Sequence, residues 1–304
     1  MRAAVIDLGT NTFHLIIADI SASDVKIIYK TNVPVRLGQG RINENIIIPE
    51  AFNRGVETLK TFKQEIDKQQ VQQTLAIATS AVRSAANGSE FVKAAKQQAD
   101  IDIDVVDGDK EAEYIYKGVK ATGVISGTSL IMDIGGGSTE FIICDHQKLL
   151  WKKSYNIGAA RLMQAYFNSD PISEQDKTAI INHLDDELVD LKQACTSFKP
   201  DHLVGSAGAF ETFAGMILKG TDIKDIKYVP IEITAYNTLS EKLITSTHAE
   251  RERMPDLLKL RIDMIVIAAI LTSYIVSMSG IKQISLSTYD LKMGVLYSLS
   301  ELKS

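Results

Sequence analysis

Cysteine is nearly absent. Cys144 and Cys195 are the two in a chain of 304 residues, too few for a disulfide framework or a zinc site. They read as reduced structural thiols of a cytoplasmic protein. Proline is scarce, with six residues, and no low-complexity tract occurs, which excludes a mainly disordered or fibrous chain. No secretory signal is expected, because the apolar run over residues 3–6 stops at Asp7. Excess positive charge is lacking too. At a net charge of −5 the overall field repels nucleic acid, so a polyanionic ligand must meet a local positive groove. Residues 264–281 form the one long stretch without charge. It contains Thr272, Ser273, Ser277, Ser279 and Gly280, with Arg261 and Asp263 just before it. That pattern reads as a buried core helix, and no membrane association is expected.

What is present is ordinary for a folded protein: 45% hydrophobic and 23% charged residues. The length suggests two domains at roughly 100–200 residues each. Self-similarity supports this. AVIDLGTNTFHLIIAD (residues 4–19) and LIMDIGGGSTEFIICD (130–145) superpose without a gap when Asp7 lies on Asp133, an offset of 126 residues. Each copy reads as an apolar strand ending in Asp, a tight turn of Gly and small polar residues, and a second apolar strand. Between and after these hairpins, strands alternate with helices. Pro49 suits the first turn of a helix, and Phe52, Val56, Leu59, Phe62 and Ile66 recur at helical spacing. Strands are expected at 74–79, 101–106, 202–204 and 283–287. Helices are expected at 89–99, 173–195 and 291–302. The fold class is therefore α/β with largely covered sheets. The expected domains are 1–122, with 291–304 packing back on it, and 123–290. A short hinge is expected near 118–127.

The turns carry the chemistry. A Gly-rich turn after a buried strand exposes successive backbone N–H groups, a nest that binds phosphate oxygens. Gly9-Thr10-Asn11-Thr12 is one such turn and Gly135-Gly136-Gly137-Ser138-Thr139 the other. Taken alone each is also a plain hairpin turn; the matching pair, each preceded by Asp, points to a clamp for a chain of phosphates. Neither is a P-loop, since no Gly-Lys-Ser/Thr follows. Asp7 and Asp133 end buried strands, where a carboxylate needs a cation or donors. Mg²⁺ suits carboxylates plus phosphate oxygens, and Glu140, just past the second turn, is placed to hold one of its waters. A capped turn is the alternative role for each Asp.

These residues carry a resemblance. VIDLGTNTFHL, VRLGQG (35–40), ATSAVRSAANG (78–88) and DIGGGSTEF (133–141), with GSAGAFE (205–211) and ERERMPDLLKLRIDMI (250–265) more loosely, resemble the exopolyphosphatase / guanosine pentaphosphate phosphohydrolase family. That family belongs to the actin, Hsp70 and sugar-kinase superfamily, and the resemblance runs over residues 4–299. It implies two RNase H-like domains with a cleft between them. It also implies Mg²⁺-dependent release of terminal orthophosphate from inorganic polyphosphate, or of the 5′ γ-phosphate from guanosine pentaphosphate. By position, the family's general base falls on Glu111 and a phosphate-binding arginine on Arg83, with Arg36 and Arg251 weaker candidates for the same groove. A homodimer is expected. His14, which matches Glu140 in the repeat, reads as structural.

Departures from the family pattern stand at Glu113, where Arg is usual, at Asp256 and Asp290, where Gly is usual, and at Lys292, where Arg is usual. The chain ends where longer members continue into a helical region associated with long polymers, so shorter chains are the expected substrate. Two competing readings remain. One is an ATP-dependent kinase or ATPase of the same superfamily with residues 205–208 against adenosine. The other is a non-catalytic sensor of polyphosphate or guanosine tetra- or pentaphosphate.

Overall fold

The computed structural model describes residues 1–22, 24–206, 208–220 and 226–301; Ala207 of the 205–208 turn and Leu302 of the expected last helix lie outside the described residues. The chain divides into two units. Unit 1 takes in residues 1–118, 135–137 and the stretch from Leu291 onward; unit 2 takes in 119–134 and 138–290.

Unit 1 begins with β1 (Arg2–Leu8), β2 (Phe13–Ile20) and β3 (Val25–Val33), a meander of antiparallel pairs. Helix α1 (Pro49–Lys68) crosses to β4 (Gln73–Ala78), which pairs parallel to β1. Helices α2 (Ser80–Ser84) and α3 (Gly88–Ala99) lead to β5 (Ile103–Val105), parallel to β4, and α4 (Gly108–Thr122) follows. The sheet order is β3-β2-β1-β4-β5. Pro49 starts α1 as its spacing predicts, and Val56, Leu59, Phe62 and Ile66 are buried against the sheet. Phe91 of α3 meets Phe13 and Phe52 edge-on at 6.3 and 5.2 Å, an arrangement that suits the ring quadrupoles. The strand expected over 101–106 is shorter, three residues long.

Unit 2 repeats the plan with β6 (Ser129–Ile134), β7 (Thr139–Cys144) and β8 (Leu149–Tyr155) as the meander. Helices α5 (Ala159–Tyr166), α6 (Glu174–Glu187) and α7 (Val189–Phe198) lead to β9 (His202–Ser206), parallel to β6. After α8 (Gly208–Ile217) come β10 (Tyr228–Ile231), α9 (Ile233–Thr245), α10 (His248–Glu252), α11 (Ile265–Ser279) and β11 (Gln283–Ser287), which lies between β9 and β10. The closing helix, α12 (Leu291–Glu301), packs on β1 and β2 of unit 1.

The internal repeat is preserved in register. Asp7 lies opposite His14 in β1–β2, and Asp133 lies opposite Glu140 in β6–β7. The bulge in β2–β3 falls between Ile17 and Ala18, and that in β7–β8 between Ile143 and Cys144, so the bulges keep the offset of the repeat. A β-bulge twists and re-aims a strand at a chosen point, so its recurrence means that the two meanders bend alike.

One expectation needs adjusting and another is met. The helix expected over 173–195 is broken at Leu188. Asp185, Asp186 and Glu187 crowd the C-terminal end of α6, where the helix dipole disfavours negative charge. The apolar stretch 264–281 is α11, whose residues 265–272 are all buried. Among the described residues no helix is long and apolar enough to cross a membrane.

Candidate phosphate-handling site

In unit 1 the turn after β1 is shaped by close contacts. A Cβ on Gly9 would stand 2.9 Å from the Thr12 carbonyl oxygen, so only glycine closes the turn without displacement. The Arg36 and Gly38 amides donate to the Asn11 and Thr10 carbonyls at 2.7 and 3.0 Å. The VRLGQG segment thus braces the turn through its backbone, while the Arg36 side chain is exposed and its φ is +51°. Gly136 and Gly137 are equally constrained. A Cβ on Gly136 would lie 2.4 Å from Asn11 Nδ2, and one on Gly137 would lie 2.4 Å from Ser80 Oγ and 2.9 Å from Thr10 Oγ1. The glycines are there because these side chains leave no room for a Cβ.

Beside Ser80 on α2, Arg83 reaches across to α4. Its Nη1 donates to Glu111 Oε2 at 2.8 Å and to the Val106 carbonyl at 3.0 Å. Glu111 is 6% exposed. The start of α4 is held by Asp107, whose side chain accepts from the Lys110 amide at 2.7 Å and whose carbonyl accepts from the Glu111 amide. A buried carboxylate without a partner would be costly; the charge-assisted bond to Arg83 compensates the Glu111 carboxylate and fixes its orientation. Asp7, at the end of β1, has Lys292 Nζ 3.7 Å from its Oδ2, and both side chains are largely buried. Glu113 faces Lys110 at 3.5 Å on the exposed side of α4.

Unit 2 buries its own carboxylates. Asp133 and Glu140 face one another in register across β6–β7 and are 8% and 1% exposed. Ser206 Oγ donates to Asp133 at 3.0 Å and Ser154 Oγ donates to Glu140 at 2.7 Å. Arg261, not singled out by the sequence, sits in this neighbourhood. Burial lowers its pKa against the pull of Glu211 and Asp133, and a Cβ on Gly208 would overlap its guanidinium. Arg251, a weaker candidate from the sequence for the phosphate groove, is 1% exposed and spends its donors on the Ile262 and Ser246 carbonyls and on Asp170. It is a structural clamp rather than a groove residue. The Thr139 hydroxyl is fully buried and donates to the Ile157 carbonyl at 3.2 Å, and Ser138 is also buried.

Asp133 and Glu140 are hard oxygen donors and fit Mg²⁺, which takes one or two carboxylates and completes its shell with water and phosphate. Asp7 fits less well, because an ammonium already stands beside it. Among the described residues no three His, Cys, Asp or Glu side chains converge on one point.

With this geometry in hand the comparisons are specific. Residues 16–303 match the model of the Ppx/GppA phosphatase family. The chain belongs to that family. Among Ppx/GppA relatives, a solved exopolyphosphatase from Cytophaga hutchinsonii is 36% identical, with 100% of this chain and 99% of that one covered and a TM-score of 0.96. A Haemophilus influenzae protein provisionally named an exopolyphosphatase is 28% identical over 98% of this chain and 91% of its own. A guanosine-5′-triphosphate,3′-diphosphate pyrophosphatase from Pseudoalteromonas atlantica is 35% identical over 59% of this chain. This chain spans about a third of that relative, 36% of its length. The expected two-domain actin-like α/β architecture is that of the Ppx/GppA structures.

Proposed function

We propose that the protein is a phosphoanhydride hydrolase that releases terminal orthophosphate from inorganic polyphosphate or the 5′ γ-phosphate from guanosine pentaphosphate. The observation that carries this reading is the Arg83–Glu111 pair in unit 1, which shares α2 with the Ser80 that lies against Gly137 and the first turn. Phosphoryl transfer asks the protein mainly for positioning and charge neutralisation. The backbone of Gly9–Thr12 and of Gly135–Gly137 cradles the terminal phosphoryl oxygens. Glu111 orients the attacking water and accepts its proton. Arg83 keeps the Glu111 carboxylate aimed through its 2.8 Å Nη1 bond, and the rest of its guanidinium is the phosphate-binding group that the family resemblance implies. Asp133 and Glu140 are the residues that would hold Mg²⁺, which when bound supplies neutralisation of phosphate charge.

The decisive experiment is orthophosphate release from tripolyphosphate, long-chain polyphosphate, guanosine pentaphosphate and ATP, with Mg²⁺ and with EDTA. Release from polyphosphate or pentaphosphate that EDTA abolishes, with ATP slow, is the expected result. Nucleotide-dependent transfer to an acceptor would favour a kinase. No release from any of the four would overturn the hydrolase and leave a phosphate-chain sensor.

A further inference from the structure

Ser80 is the first residue of α2 and is 2% exposed. Its Oγ is buried and, among the described residues, has no hydrogen-bond partner. Buried hydroxyls are paired in the great majority of cases, because losing water without a replacement is costly. The position of this one is informative. It stands 2.4 Å from where a Gly137 Cβ would be, and Thr10 Oγ1 stands 2.9 Å from the same point. Two hydroxyls from separate parts of unit 1 therefore converge on one glycine of the Gly-rich turn. One helical turn along α2, on the same face, Arg83 holds Glu111. An unpaired buried hydroxyl beside the Gly-rich turn, on the helix whose Arg83 holds the candidate base, is a donor suited to an oxyanion.

We infer that Ser80 Oγ donates a hydrogen bond to a non-bridging oxygen of the phosphoryl group held at Gly136–Gly137, making it a substrate-contacting residue of unit 1. The inference rests on the phosphate-handling reading above and deepens it. A serine hydroxyl suits this contact because it is neutral and small, and its proton rotates to whichever oxygen is presented. The same chemistry serves the terminal phosphoryl of a bound chain and free orthophosphate. With a chain the contact aids turnover; with orthophosphate it governs product retention.

The experiment compares wild type with Ser80→Ala in two assays. The first is the rise in unfolding midpoint caused by orthophosphate, and separately by tripolyphosphate. The second is kcat/KM for orthophosphate release from tripolyphosphate. A hydrogen bond to a charged oxygen corresponds to about 10- to 100-fold in affinity or rate. Ser80→Ala is expected to keep or raise the ligand-free midpoint, since an unpaired hydroxyl is removed, and to lose that factor in apparent affinity. A loss confined to tripolyphosphate marks the chain as the ligand; a loss with both anions includes the product. Ser80→Cys, which keeps the shape in a slightly larger side chain but donates weakly, controls for the cavity left by alanine and is expected to fall the same way.

Wild-type affinity and kcat/KM in Ser80→Ala or Ser80→Cys would overturn the inference, as would a wild-type midpoint that neither anion moves. A wild type that binds phosphate through Ser80 but cleaves nothing would keep this inference and sink the hydrolase. Turnover unchanged by Ser80→Ala would do the reverse.

Discussion

Glu111 and Arg83 show how much a single pair can decide. The amide of Glu111→Gln keeps the volume and still accepts from Arg83 Nη1, so the fold should tolerate it. The negative charge and basicity are gone, however. Turnover is expected to fall by at least about 100-fold, with the unfolding midpoint almost unchanged; near-normal turnover would take the base role away from Glu111. Glu111 emerged from the sequence through the family resemblance, since nothing local separates it from Asp109 or Glu113. Only the fold shows that Glu113 is on the exposed side with Lys110 and that Glu111 is buried with Arg83. The place of Arg251 and of Arg261 was hidden for a related reason. Both lie in one polar segment, and which guanidinium is consumed by carbonyls is settled by tertiary contacts. Asp256 is a clearer case. The resembling family has Gly there, and Asp256 sits at φ +66°, the left-handed region that glycine enters without cost.

Among the elements, α12 and β9 make separate predictions. Gly294 of α12 lies against α4 so closely that a Cβ would stand 1.7 Å from the Tyr114 carbonyl oxygen and 3.0 Å from the Gly118 nitrogen. Both are backbone atoms and cannot rotate away. Gly294→Ala is therefore expected to lower stability by about 1–3 kcal/mol, read as a drop in urea midpoint at constant slope. On β9, burial holds the His202 imidazole below its ordinary pKa against a smaller opposing pull from Asp201, and Nε2 bonds Ser285 Oγ at 2.9 Å. The folded state therefore resists protonation that the unfolded state accepts below about pH 6.5. Stability should rise with pH through the window between the depressed folded value and about 6.5, and contribute no further slope above it. His202→Asn should flatten that slope, as measured by denaturant unfolding from about pH 5 to 8. Helix α1 was legible from the spacing of its apolar residues, and α11 from its lack of charge. The α6–α7 break was not, because the apolar spacing continues through Leu188.

At the scale of the whole molecule, both cysteines are buried in unit 2. Burial pushes the Cys144 thiol up to about 12, with Asp145 adding and Lys120 opposing, and the Cys195 thiol up to about 11. Neither should react with a thiol reagent such as Ellman's at about pH 8 while folded, and both should react once unit 2 opens. Fast modification of either thiol in the native protein would contradict this core. The architecture as a whole was the most legible level, because the repeat wrote the same strand–turn–strand pattern twice and strand register follows such patterning. The partition of side chains into used and spent was the least legible, because it depends on contacts distant in sequence. One architectural feature also has a temporal side. Unit 1 has its first 118 residues early but takes Gly135–Gly137 and α12 from later in the chain. On a ribosome, which delivers the N-terminus first, the segment that starts folding first is the one finished last. Until Glu301 emerges, β1 and β2 wait uncovered by α12, so the sheet that opens the chain gains its last cover only when synthesis is nearly done.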